Sequence, residues 1–190
     1  MNLKDKVVMI LTRPVDFFKR AEKDVGQAFG YLALFYLIFV ILTLVVSFYT
    51  EAVSVVVLKQ FNIPVPEQPE MSFRIISTVF AYVMALLFSF IISAILHVYL
   101  VIFAGKASYS QTYSMMVHAG TPTMLFGWLP IVSFFAGVWS LVLLILGISE
   151  VHKMSRMRAT LLILVPLVVF VLVGVLIAMI AAFLVLQALN

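Results

Sequence analysis

The chain has no cysteine, few charges and no acid in the middle of any apolar stretch. Each lack removes a class of function. Without cysteine there is no disulfide, no thiolate nucleophile and no cysteine metal site. Without intramembrane Asp or Glu, paired-carboxylate catalysis, carboxylate metal cages and carboxylate-driven proton pumps lose their usual parts. There is no GxSxG, no HExxH and no glycine-rich phosphate loop ending in lysine. The expectation is a protein that is not an enzyme and that carries no cofactor and no metal. A net charge of +4 and a pI near 9.4 would suit nucleic acid. The cations instead follow a membrane pattern and form no aromatic-laced groove, so nucleic acid is not expected as a partner.

What is present is hydrophobic length. Apolar residues make up 65% of the 190 and charged residues 11%, against about 45–50% and about 25% in a soluble domain. A hydrocarbon core of about 30 Å takes roughly 20 apolar residues per helix. Spans are expected at about 29–48, 75–103 and 159–186. The apolar stretch from Ser110 to Ile148, 39 residues interrupted by Pro122, Gly127 and Pro130, needs a further argument.

Charge supplies it. Ten of the 12 Lys and Arg residues lie before the first span, at Lys106, or in the Lys153–Arg158 loop. Lys59 and Arg74 lie between spans one and two. Because short cytoplasmic loops retain Lys and Arg, the N-terminus is expected inside, and the Ser110–Ile148 stretch must cross an even number of times. At 1.5 Å per residue it is nearly ~60 Å long, enough for two crossings. These are placed at about 110–129 and 131–148, with Pro130 at the outer turn. A re-entrant pair broken at Pro122 has the same parity. The expected fold is therefore an all-α, polytopic transmembrane bundle of five spans, with Asn190 outside. Two regions are expected: a lead-in over 1–28 and a membrane domain over 29–190.

The lead-in is too charged for a cleavable signal peptide. It places Pro14, Phe17, Phe18, Ala21, Val25 and Ala28 on one helical face, with Asp16, Lys19, Arg20, Glu22 and Lys23 on the other. It is expected either to lie in the headgroup layer on anionic lipid or to pack on the inner ends of the bundle. Residues Val53 to Pro69, with three prolines, read as an extended outer loop.

Polar residues inside the spans are the candidate site. Thr78, Tyr82, Ser89, Ser93 and His97 share a face of span two; Ser114, His118 and Thr121 share a face of span three. His97 and His118 stand equally far from the intervening turn, so they could face each other, bind a metal or pass a proton. The alternative is that each simply bonds a neighbouring hydroxyl or carbonyl and holds helices together. A second candidate surface is Glu150, His152, Lys153, Arg156 and Arg158. It reads as a docking surface for a cytoplasmic partner or lipid headgroups, or as a plain positive-inside signal. Small-residue rows occur at Gly26 and Gly30, along Ser133, Gly137, Ser140, Leu144 and Gly147, and at Gly174, Ala178 and Ala182. They suit close helix packing, the last row alternatively a homodimer face. Pro166 is expected to kink the last span. Tyr31 and Trp128 read as interface anchors and Trp139 as a bundle contact.

Between Ile95 and Pro166 stand LHVYLVIFAGKASYSQTYSMMVHAGTP, WLPIV and VWSLVLLILGISEVHKMSRMRA, then a proline early in the last span, and RPVDFF lies at Arg13–Phe18. In these pieces the chain resembles the Yip1-domain family. It implies a five-span bundle with a cytoplasmic N-terminus. It also implies vesicle traffic at Golgi and ER in eukaryotic members, with prenylated Rab-type GTPases and other family members as partners. The 28-residue lead-in is similar to the shorter archaeal or bacterial form, which would place the protein in a plasma membrane. Two functions are weighed on this basis. One is a scaffold or adaptor that organises lipids or partner proteins at the cytoplasmic face, alone or as a homo-oligomer. The other is a small-solute or ion transporter or channel lined by the polar surface between spans two and three. An intramembrane hydrolase would need a positioned nucleophile and oxyanion site, and Ser93 and Ser114 read instead as helix-contact hydroxyls.

Overall fold

A computed structural model describes residues 1–20 and 24–188; Ala21, Glu22, Lys23, Leu189 and Asn190 lie outside them. Most of the described residues are helical, and none of them forms a strand. The elements are α1 (Leu3–Thr12), α2 (Pro14–Arg20), α3 (Val25–Gln60), α4 (Met71–Ile102), α5 (Tyr109–Ala119), α6 (Thr121–Phe126), α7 (Pro130–Val151) and α8 (Arg156–Ala188). Four of these, α3, α4, α7 and α8, are long and apolar enough to cross a membrane.

The stretch expected as a single third span, 110–129, is two short helices end to end. The break has a local cause. A proline ring clashes with the carbonyl four residues back and offers no N–H to it. At Pro122 that carbonyl is His118 O, and the Thr121 hydroxyl takes it at 2.7 Å. Gly120 closes α5 through its N–H to Met116 O and Val117 O, each 3.2 Å away.

The outer loop is also shorter than expected. Helix α3 continues to Gln60, and only residues 61–70 are non-helical before α4. Nothing in the apolar run to Lys59 stops the helix; Asn62, left-handed at φ 54, ends it, with Ile63 N–H closing on Leu58 O at 2.9 Å. At this far end Arg74 of α4 pairs through both terminal nitrogens with Glu51 of α3. Helix α8 runs through Pro166 without interruption.

Helix α5 is the centre of the bundle. It is the least apolar of the long elements, and seven of its residues, from Thr112 to Ala119, are buried. Helices α3, α4 and α7 surround it. Their outward faces, and nearly all of α8 beyond Leu162, are exposed apolar surface, as lipid-facing helices should be. The ends of α4 and α7, the starts of α5 and α8, and α1–α2 share one end of the molecule. It is called the basic end here, because Lys106, Lys153, Arg156 and Arg158 are exposed on it.

The lead-in packs on the bundle. Phe17 and Phe18 are buried, and the Phe17 ring lies 5.1 Å from that of His118. Helix α1, which the sequence reading did not anticipate, buries Ile10 and Lys6, with Lys6 Nζ 5.8 Å from the Tyr31 ring centre.

The small-residue rows divide. Gly147 is a true close approach: a Cβ there would stand 2.6 Å from Met115 Cγ and 3.3 Å from Phe18 Cε1. Ser140 bonds Thr123 Oγ1 at 2.8 Å. Among the described residues nothing lies within 4 Å of a Cβ built at Gly30, Gly137 or Gly174, so those parts of the rows make no close approach there. Trp139, expected inside, is exposed, and Tyr31, expected at the interface, is buried. Gly147→Val is expected to lower stability by about 1–3 kcal/mol through overpacking. A thermal midpoint in detergent equal to the parent's would show that Met115 yields freely.

Candidate functional site

Helix α5 presents three polar layers to its neighbours. In the first, Tyr113 Oη lies 3.1 Å from Ser89 Oγ. Its ring stacks on Phe90 at 4.8 Å with the planes 6° apart. Ser93 donates to Tyr109 Oη at 3.0 Å, and Tyr109 donates to Phe90 O at 3.1 Å. The hydroxyls of α4 foreseen as a polar face thus meet the tyrosines of α5.

The second layer joins three helices through one hydroxyl. Thr112 Oγ1 lies 2.9 Å from His97 Nδ1 on α4 and 3.0 Å from His152 Nε2 just beyond α7. It also donates to Ser108 O at 3.1 Å. A threonine hydroxyl has one proton and two lone pairs. Donating to Ser108 O, it accepts from both imidazoles, which assigns the protons to His97 Nδ1 and His152 Nε2. Thr112 and His152 are fully buried; His97 is half-buried.

The third layer holds His118. Its Nδ1 bonds Ser114 O at 2.7 Å and lies 3.3 Å from Ser114 Oγ. Its ring sits 4.7 Å from that of Tyr31, whose hydroxyl is 2.9 Å from Thr121 Oγ1.

Two sequence expectations change. His97 does not pair with His118; its partner is His152, on the other side of Thr112. Equal distance from the turn set a common depth but not a common azimuth, and α5 turns His118 toward α3 and the lead-in. His152, grouped with the exposed basic residues, is wholly buried. Glu150 is half-buried, while Lys153, Arg156 and Arg158 are exposed as expected. Tyr31, Tyr109, Thr112 and Tyr113 were missed. The last three stand at i, i+3 and i+4, a spacing visible in the sequence; the stronger-looking Ser114, His118 and Thr121 series masked it.

Chemically, these layers tie α4, α5 and the end of α7 to one another through hydrogen bonds. Each hydroxyl is engaged, and among the described residues no group of three or more His, Asp or Glu side chains could hold a metal. A hollow of about 490 Å³ lies elsewhere, on the α3–α4 seam around Glu51 and Arg74.

A model of the Yip1 domain matches residues 8–185, from the lead-in through nearly all of α8. The chain belongs to the Yip1 domain family. The match takes in the α4–α5 turn, the broken α5–α6 pair and the α7–α8 loop that carry the polar layers. Yip1 proteins are generally non-catalytic membrane proteins, and this Yip1 domain is an integral membrane protein built of apolar helices. No curated protein and no solved structure matches the chain.

Proposed function

We propose that this Yip1 domain is a non-enzymatic membrane scaffold that holds anionic lipid headgroups or partner proteins on its basic end, with that end cytoplasmic. One observation supports this most. The interior hydroxyls of Ser89, Ser93, Tyr109, Thr112 and Tyr113 are spent on one another and on His97 and His152, while Lys153, Arg156 and Arg158 project unburied from the adjoining loop. A transporter would present its polar groups to a path; these are closed against each other. Five crossings fit the register: α5 meets the end of α7 through Thr112 and His152, α6 meets its middle through Thr123 and Ser140, and Gly127 reaches Phe39. The α5–α6 pair thus runs about as deep as α7. Association with a second copy or another membrane protein belongs to the same reading, as does a Rab-type GTPase where one is present.

Charge attraction to anionic headgroups is worth about 1 kcal/mol per Lys or Arg near the surface. The triple variant Lys153→Ala, Arg156→Ala, Arg158→Ala is therefore expected to lose roughly 100-fold or more of its retention of anionic lipid or partner in pull-downs from native membranes. A variant that keeps every lipid and protein partner at parental levels would end the proposal.

A further inference from the structure

Helices α4 and α7 end side by side, and each ends on a left-handed residue that is not glycine. Ala104 has φ 64 and Lys153 has φ 56. Gly105 N–H closes on Leu100 O at 2.8 Å, and Met154 N–H on Ser149 O at 3.1 Å. Glycine is the usual occupant of such a left-handed closure, and other residues pay a steric cost there. Two strained reversals therefore flank the same spot, and the His152 ring fills it.

That ring is 0% exposed, and among the described residues its Nδ1 has no hydrogen-bond partner. Nδ1 rests on the backbone of Gly105, where a Cβ would overlap it and would also stand 2.8 Å from Leu100 O. With Nε2–H committed to Thr112, any added proton must go to Nδ1. There it would find no acceptor in place among the described residues. A buried donor without an acceptor is costly, and a buried charge more so.

We propose that His152 is an acid-sensitive latch: neutral, it clamps the end of α7 to the α4–α5 turn, and protonated, it releases the turn and frees the Lys153–Arg158 segment. This stands whether or not that segment docks a partner. The groups around the ring offer the proton no compensation. From α4 comes His97, ring centre 6.3 Å away, which brings no negative charge and, when itself protonated, repels a charged His152. From α5 come Thr112, already filled, and Tyr109, edge-on to His97 at 5.9 Å. The turn contributes exposed Lys106, and the α7–α8 loop contributes Lys153 beside the ring, both cations. Glu150, half-buried, is two residues back, and no hydrogen bond between it and either ring is formed.

Burial, and then the neighbouring His97, hold His152 down from 6.5 to about 4. Because the clamped value lies below the free one, the released ring takes up its proton first as pH falls. The closed form is at full strength above 6.5 and loses ground progressively until about 4. Across that window the open form gains roughly two to three orders of magnitude.

The cysteine-free chain allows a direct test. Spin labels on Lys106→Cys and Lys153→Cys, in lipid nanodiscs, report the gap between turn and loop. A second pair on Tyr49→Cys and Met71→Cys reports the far end. Between about pH 7.5 and about pH 4.5 the first pair should separate reversibly and the second should stay fixed. His152→Gln should hold the closed distance at both pH values. Gly105→Ala should already show the open distance at neutral pH. The latch is refuted by a first pair that does not move, by equal movement in His152→Gln, or by both pairs changing together, which would be general unfolding.

Discussion

Thr112→Val is expected to destabilise the protein by about 2–4 kcal/mol, although it changes neither size nor shape. The valine leaves His97 Nδ1–H and His152 Nε2–H facing a methyl group, at sites 2.9 and 3.0 Å from the lost oxygen. Each unpaired buried donor costs about 1–3 kcal/mol. Interhelical hydrogen bonds in membranes average only about 0.6 kcal/mol, because the unfolded helix finds other partners in the bilayer. Here the larger figure should win. The two rings lose one shared acceptor, and His152 is fully buried. Thr112→Ser, which keeps the hydroxyl, should recover most of the loss. The measurement is the thermal midpoint in detergent, read by loss of the monodisperse peak. If valine and serine variants melt together, the hydroxyl is not the junction it is taken to be.

Tyr113→Ala should cost about 3–5 kcal/mol, the usual range for removing a large buried aromatic. The ring is wholly buried and forms the end of a stack running from Phe29 of α3 through Phe90 of α4. In lipid the gain from burial is not hydrophobic, since acyl chains are as apolar as the core. What is lost is dispersion contact, and the cavity left behind has no side chain to refill it. Tyr113→Phe isolates the hydroxyl. Ser89 still donates to Leu86 O at 2.7 Å, so this change should cost only about 1 kcal/mol. An alanine variant as stable as the phenylalanine one would show that α5 is not held by this stack.

Much of the architecture is legible in the chain itself. The long apolar runs became helices α3, α4, α7 and α8, with most ends moved by a few residues and α3 continuing well past its expected end to Gln60, because length and composition alone decide whether a segment can lie in hydrocarbon. Exposure of Lys153, Arg156 and Arg158 followed for the same reason: no apolar interior accepts an unpaired cation. The failures are equally specific. Periodicity showed that Ser89, Ser93 and His97 share a face, but not that Tyr109, Thr112 and Tyr113 would be the groups to meet them. The α1 helix escaped notice because it is short and its apolar residues bunch at Val7–Leu11 behind Lys4, Asp5 and Lys6; it docks on the bundle through buried Ile10 and Lys6.

His152 marks the boundary most sharply. In sequence it stands among charges at the end of a span, where a histidine ordinarily meets water. Its burial depends on Gly105, 47 positions earlier, being small enough to admit the ring, and on Thr112 arriving from a third helix. The amino-acid order determines which segments enter the bilayer, which end carries the positive charge and which family the chain belongs to, since these follow from local composition and fixed spacing. Rotation of each helix about its axis is decided only when all neighbours pack together, because a polar side chain in a bilayer settles on whichever partner the assembled bundle brings within reach.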